Sequence, residues 1–184
     1  MKSVCIGDMK LEVPIIQGGM GVGISLGNLA GHVAKNGGMG VISTAHPGYR
    51  AEDFEKNPTE VNKRELAKEI QKAKEIAKGK GMVAINAMVA ITDYAQMVEV
   101  AIKNKIDAII SGAGLPMNLP GFVKGTKVKI APIVSSGKAA RLICKTWDRR
   151  YHVAPDFVVI EGSEAGGHLG FHKEDVLNKT TAKL

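Results

Sequence analysis

One histidine in this chain stands where acid–base chemistry is practical. His168 ends the run Glu161-Gly162-Ser163-Glu164-Ala165-Gly166-Gly167-His168, which begins where the apolar segment Phe157-Val158-Val159-Ile160 stops. An imidazole titrates at ~6.5 in water, which suits it to act as an acid or base at neutral pH. Gly162, Gly166 and Gly167 allow backbone N–H groups to approach a ligand closely. The apolar segment is mostly β-branched and lacks alternation, so it predicts a strand buried on both faces. Parallel α/β sheets keep their chemistry just beyond the carboxyl ends of such strands.

Five earlier segments have the same form. Strands are predicted over Val13–Gln17, Met39–Thr44, Met82–Asn86, Asp107–Ser111 and Val128–Val134. Each apolar run ceases at a residue that can hydrogen-bond: Gln17, Ser43, Asn86, Ser111 and Ser135, with Glu161 the sixth. Such tips can serve merely as helix caps. Gathered on one sheet edge, they are expected to line a pocket for a flat, polar-rimmed ligand.

The segments between these strands carry helical spacing. Helices are expected from Ser25 to Lys35, from Asn57 to Gly79, from a Thr92 cap to Asn104, briefly within Leu115–Gly125, and over Lys138–Arg150. A further helical segment begins at Lys173. The loop from Ala45 to Lys56 is long enough to be functional or mobile. Alternation of buried-type strands with helices predicts a parallel sheet within a single domain over residues 1–184.

Composition narrows the partners. With 45% hydrophobic and 23% charged residues the chain is globular. No apolar run reaches the ~18 residues that span a bilayer, and the N-terminus has no signal-peptide core, so a cytoplasmic location is expected. The net charge of +7 falls mostly on amphipathic helix faces, and 4% aromatic content argues against nucleic acid as a partner. Cys5 and Cys144 share no ligand or redox spacing, and Cys144, beside Leu142 and Ile143, is expected to be a buried free thiol. His168 and His172 are four apart, but the glycines around them argue against the helix a zinc pair needs, so no metal site is expected. Ser135-Ser136 lacks the G-x-S-x-G frame of a nucleophile elbow. Trp147 is expected to pack in the core.

Taken together, Pro14-Ile15-Ile16-Gln17-Gly18-Gly19-Met20-Gly21, Gly37-Gly38-Met39-Gly40-Val41-Ile42, Asn86 and the stretch Glu161–Gly170 resemble the nitronate monooxygenase (2-nitropropane dioxygenase) family of FMN-dependent TIM barrels. The resemblance runs along essentially the whole chain. It implies that Gly18, Gly19 and Met20 lie against the flavin, that Asn86 hydrogen-bonds it, and that Val134 and Ser135 are near it. It further implies that Glu161, Gly166 and Gly167 contact FMN and that His168 is the catalytic base. The substrates implied are a nitronate or nitroalkane and O2. Glutamate at 161 is a departure, since the monooxygenases often carry glutamine there; it is familiar in the related flavin-dependent enoyl-ACP reductases. Reduction of an enoyl thioester by NAD(P)H is therefore the alternative activity, and a basic surface would suit an acidic carrier protein.

Length is the larger departure. A (β/α)8 barrel takes ~250 residues and builds its phosphate site after strands 7 and 8. This chain of 184 residues supplies about six strand–helix units and lacks the family's second glycine-rich segment. The expected architecture is thus an α/β, TIM-barrel type parallel fold, truncated. It is either a fragment, the favoured expectation, or a chain completed by a second copy or another chain. Weak FMN binding or none is expected of it, and an inactive fragment is the third alternative.

Overall fold

The computed structural model describes residues 1–168, 170, 171 and 174. The chain begins with an antiparallel hairpin, β1 (Val4–Ile6) and β2 (Met9–Leu11). Strands and helices then alternate: α1 (Gly27–Lys35), β3 (Met39–Ser43), α2 (Pro58–Ala77), β4 (Met82–Met88), α3 (Tyr94–Lys103), β5 (Ala108–Gly112), α4 (Leu119–Val123), β6 (Lys129–Val134), α5 (Gly137–Tyr151) and β7 (Val159–Ile160). The five later strands pair in parallel in chain order, β3-β4-β5-β6-β7. The sheet curls into a half-barrel, the truncated TIM-barrel type arrangement expected from the sequence.

Sequential order decides how the faces are covered. Right-handed crossovers without an order reversal set every helix on one face of the sheet. One core cluster accordingly joins Ile42, Ile85, Ile109, Ile130 and Val134 to Leu66, Ile70, Met97, Leu119, Ile143 and Trp147 from the helices. The second cluster lies on the concave face and draws on no helix: Met39, Val41, Met82, Ala84, Ala108, Ile110 and Ala131 meet Ile6 and Leu11 of the hairpin. The hairpin was not anticipated, although Gly7-Asp8 between short apolar runs is a two-residue turn signal and Gly7 takes φ 60°. It closes the concave core at the end opposite the strand tips, where the Asp8 carboxylate pairs with Lys129 at the start of β6.

Local signals explain most boundaries. Asn57 caps α2 by accepting the Glu60 N–H, and Pro58 follows in the first turn. Ser136 caps α5 by accepting the Ala139 N–H. Trp147 is fully buried and donates its indole N–H to the Pro116 carbonyl at 3.0 Å.

Several expectations need correction. Residues 13–17 run along the edge of β3 but form only an isolated bridge, Ile16 to Met39, because the Ile15 N–H, which would extend the ladder to Gly37, turns back to the Val13 carbonyl at 2.8 Å across Pro14. Thr92 does not cap α3; Asp93 occupies the cap position and makes no side-chain bond. Cys144 is half-buried and Cys5 exposed. The sixth strand is not buried on both faces, since Val158 and Ile160 are 38% and 53% exposed. The helical segment expected from Lys173 lies outside the described residues, Glu174 excepted.

Candidate functional site

Side-chain parity along each strand selects the residues that face the hollow of the half-barrel. Met82 and Ala84 face the concave core, so Asn86, at the next position of that parity, faces the same way. Met39 and Val41 bring Ser43 inward, Ala131 and Ile133 bring Ser135, and Phe157 and Val159 bring Glu161. Ser43 pairs in register with Asn86 across β3 and β4. Glu161 donates its backbone N–H to the Val134 carbonyl, which sets β7 beside the tip of β6.

The segment after Gln17 lies over these tips as a strap. Gly19 rests directly on Asn86, and a Cβ added at Gly19 would collide with the Asn86 Cβ. Two residues on, a Cβ at Gly21 would come within 2.9 Å of Ala45 Cβ and 3.3 Å of Ser43 Oγ. Gly18 has open space where its Cβ would be, so its backbone stays accessible. Met20, Val22 and Ile24 turn apolar side chains outward. Beneath the strap the half-buried Asn86 amide makes no side-chain hydrogen bond among the described residues.

The loop after β7 folds back on its own origin. Gly170 donates its N–H to Glu161 Oε2 at 2.7 Å, and its carbonyl accepts from Ser135 Oγ at 2.6 Å. A Cβ there would stand 2.9 Å from that hydroxyl and 3.1 Å from that carboxylate. His168 is exposed and precedes this clamp by two residues, so its Cα lies within roughly 7.6 Å of the Gly170 Cα. The imidazole is thereby carried by the same end of the sheet as Ser135 and Glu161. Gly166 and Gly167 border open space, and Gly167 takes φ 91°.

Two tips expected at the rim, and the side chain of Val134, belong to the fabric of the fold. Ser111 is completely buried on the helix side: its hydroxyl donates to the Ala87 carbonyl at 3.1 Å and, that proton being used, accepts from the Tyr94 hydroxyl at 3.0 Å. Burial raises the Tyr94 pKa, more than the bond to Ser111 lowers it, which keeps Tyr94 a donor. Gln17 accepts the Val41 N–H through Oε1 and donates through Nε2 to Ser25 and to the Gly18 carbonyl. Val134 packs its side chain among the helices, and only its backbone borders the rim. Gly112 takes the inward position at the tip of β5, where its missing Cβ makes room for Ile133. The same parity count over Ala108 and Ile110 would have found it in the sequence.

The arrangement offers a flat ligand a backbone strap, an uncommitted amide, a hydroxyl and a carboxylate along one rim, with an imidazole on a loop beside them. The donor set suits a planar ring system with alternating polar edges, and the open faces of Gly18, Gly166 and Gly167 allow close approach. Among the described residues no group of histidine, cysteine and carboxylate side chains is placed to hold a metal ion.

Comparison with known proteins bears on the fold and the family. No curated protein matches the chain significantly. Among solved structures it resembles FabK from Thermotoga maritima, with a TM-score of 0.67 and 27% identity over 88% of this chain and 44% of that one. The M276A mutant of the same protein gives 0.67 and 26%, covering 88% and 46%. The chain thus spans less than half the length of these relatives. The sequence model for nitronate monooxygenase matches residues 2–184, essentially end to end. By that match the chain belongs to the nitronate monooxygenase family.

Proposed function

We propose that this chain carries the ring-holding part of an FMN site and serves the oxidation of nitronates or nitroalkanes by O2, with His168 as the base. The observation that carries the reading is Asn86: an inward-facing, half-buried amide, uncommitted among the described residues and covered by the Gly18–Met20 strap. Gly18, Gly19 and Met20 would bear on one face of the ring, while Asn86, Ser135 and Glu161 would address its polar edge. Gly166 and Gly167 would admit it past open backbone, and Val134 would contribute its main chain. Bound there, FMN supplies the electron acceptance that the protein's own side chains lack. His168 would remove the proton beside the nitro group, a step within reach of an imidazole near neutral pH.

A second activity, reduction of an enoyl thioester by NAD(P)H, draws on Glu161, the residue at which the chain departs from the monooxygenase pattern. Flavin titration followed by two assays separates the readings. Because the rim residues address the ring, riboflavin and FMN should bind weakly and with about equal affinity. The flavin-supplemented protein should then consume O2 with propionate-3-nitronate and leave crotonyl thioester with NADH unchanged. Turnover of the thioester alone selects the second activity. A chain that binds neither flavin refutes both.

A further inference from the structure

Ser25 is fully buried just before α1, and every polar atom it has is engaged. Its hydroxyl accepts the Met20 N–H at 2.9 Å and a proton of Gln17 Nε2 at 2.8 Å, and donates to the Gly18 carbonyl at 3.1 Å. Its backbone N–H donates to the Met20 carbonyl at 3.0 Å, and its carbonyl accepts the Ser43 N–H of β3 at 2.8 Å. One side of the residue therefore holds both ends of the Gly18–Met20 strap, and the other side is bolted to the strand beside Asn86. Gln17 extends the network to the Val41 N–H at 3.0 Å.

We infer that Ser25 is the positioning residue of the cofactor site, fixing the strap over Asn86 before any ligand arrives. The inference rests on the flavin reading above. Glycines leave the strap many alternative conformations, and a preformed strap avoids the ordering cost of choosing one on binding. No side chain of the strap itself supplies that order. A single buried hydroxyl with three hydrogen bonds to residues 17, 18 and 20 does.

The test compares wild type, Ser25→Ala and, as a control for plain loss of stability, Asn57→Ala, which removes the α2 cap away from the strap. Two quantities are read: hydrogen exchange of the Met20 amide in flavin-free protein, and FMN affinity by fluorescence quenching. In Ser25→Ala the Met20 amide should exchange roughly tenfold faster and FMN affinity should fall roughly tenfold. Asn57→Ala should change neither by more than about twofold. Should Ser25→Ala fail to fold, Ser25→Cys, which keeps a weak donor and acceptor, should show the same shifts at smaller size. Wild-type affinity and wild-type Met20 exchange in the Ser25 variant overturn the inference alone, as does an equal loss in Asn57→Ala. A wild-type chain that quenches no flavin at all overturns the functional reading beneath it.

Discussion

Gly170 gives its N–H to Glu161 Oε2 at 2.7 Å, closing the loop that carries His168 onto the strand from which it departs. The same glycine's carbonyl is held by Ser135, so β6 and β7 both anchor the loop. Hydrogen bonds to a carboxylate are stronger than neutral ones, and this one has no competitor among the described partners of the Gly170 N–H.

Glu161→Ala should release the loop while barely affecting the rest of the molecule. Global stability should change by about 1 kcal/mol, the scale of one hydrogen bond at a half-buried site. Protease cleavage within 162–168 should accelerate severalfold. Glu161→Gln keeps an acceptor oxygen and should retain most of the protection.

Gly19→Ala puts a methyl group into the space held by Asn86. The strap must lift, at about 1–3 kcal/mol, the usual range for overpacking. Thermal unfolding should show that loss, and flavin titration should show weakened binding. Adding Asn86→Gly removes the obstructing Cβ and should recover the stability; under the proposed function it should not recover flavin affinity, because the amide is gone.

Asp53 accepts both terminal nitrogens of Arg64, at 2.8 and 2.9 Å, pinning the loop of residues 45–56 to α2. The Arg64 hydrogen bond, chief among the causes, lowers the Asp53 pKa from 3.8 to about 2. A carboxyl group depressed in the folded state adds stability above its unfolded pKa and loses it as the pH falls through the folded one. Amide exchange in this loop should therefore be slower in wild type than in Asp53→Asn by a constant factor above about pH 5, and the two should converge near pH 2. Both partners are substantially solvated, so added salt should shrink the difference.

His168→Asn tests the proposed base. Turnover of neutral nitroalkanes should fall by ~10²-fold or more, the common scale of general-base catalysis, while preformed nitronates, already deprotonated, should keep most of theirs. Equal losses on both would remove His168 from that role.

Unlike the β1–β2 hairpin, the five strands of the parallel sheet, their parallel sense and the polar residue near each tip were legible in the sequence, because unbroken β-branched apolar runs and glycine-bounded helices are local signals. Asn57 and Pro58 announced the start of α2 in the same way. The use to which each tip is put was not local. Asn86 and Ser111 look alike as polar ends of apolar runs, yet Asn86 faces the hollow and Ser111 is spent on Tyr94 and the Ala87 carbonyl. One residue of strand parity separates those fates. Gln17 was drawn away from the rim by Ser25, eight residues on, and by Val41, which reaches it only when the chain doubles back through α1. The exposed outer face of β7 likewise depends on what packs against the strand, which apolar composition does not encode. Residue type and spacing determined which groups could act at the strand ends. The three-dimensional arrangement decided which of them were left able to act: Ser111 and Gln17 spend their polar atoms inside the fold, whereas Asn86 keeps its whole amide among the described residues, and Glu161 and Ser135 keep lone pairs beyond their single bonds to Gly170.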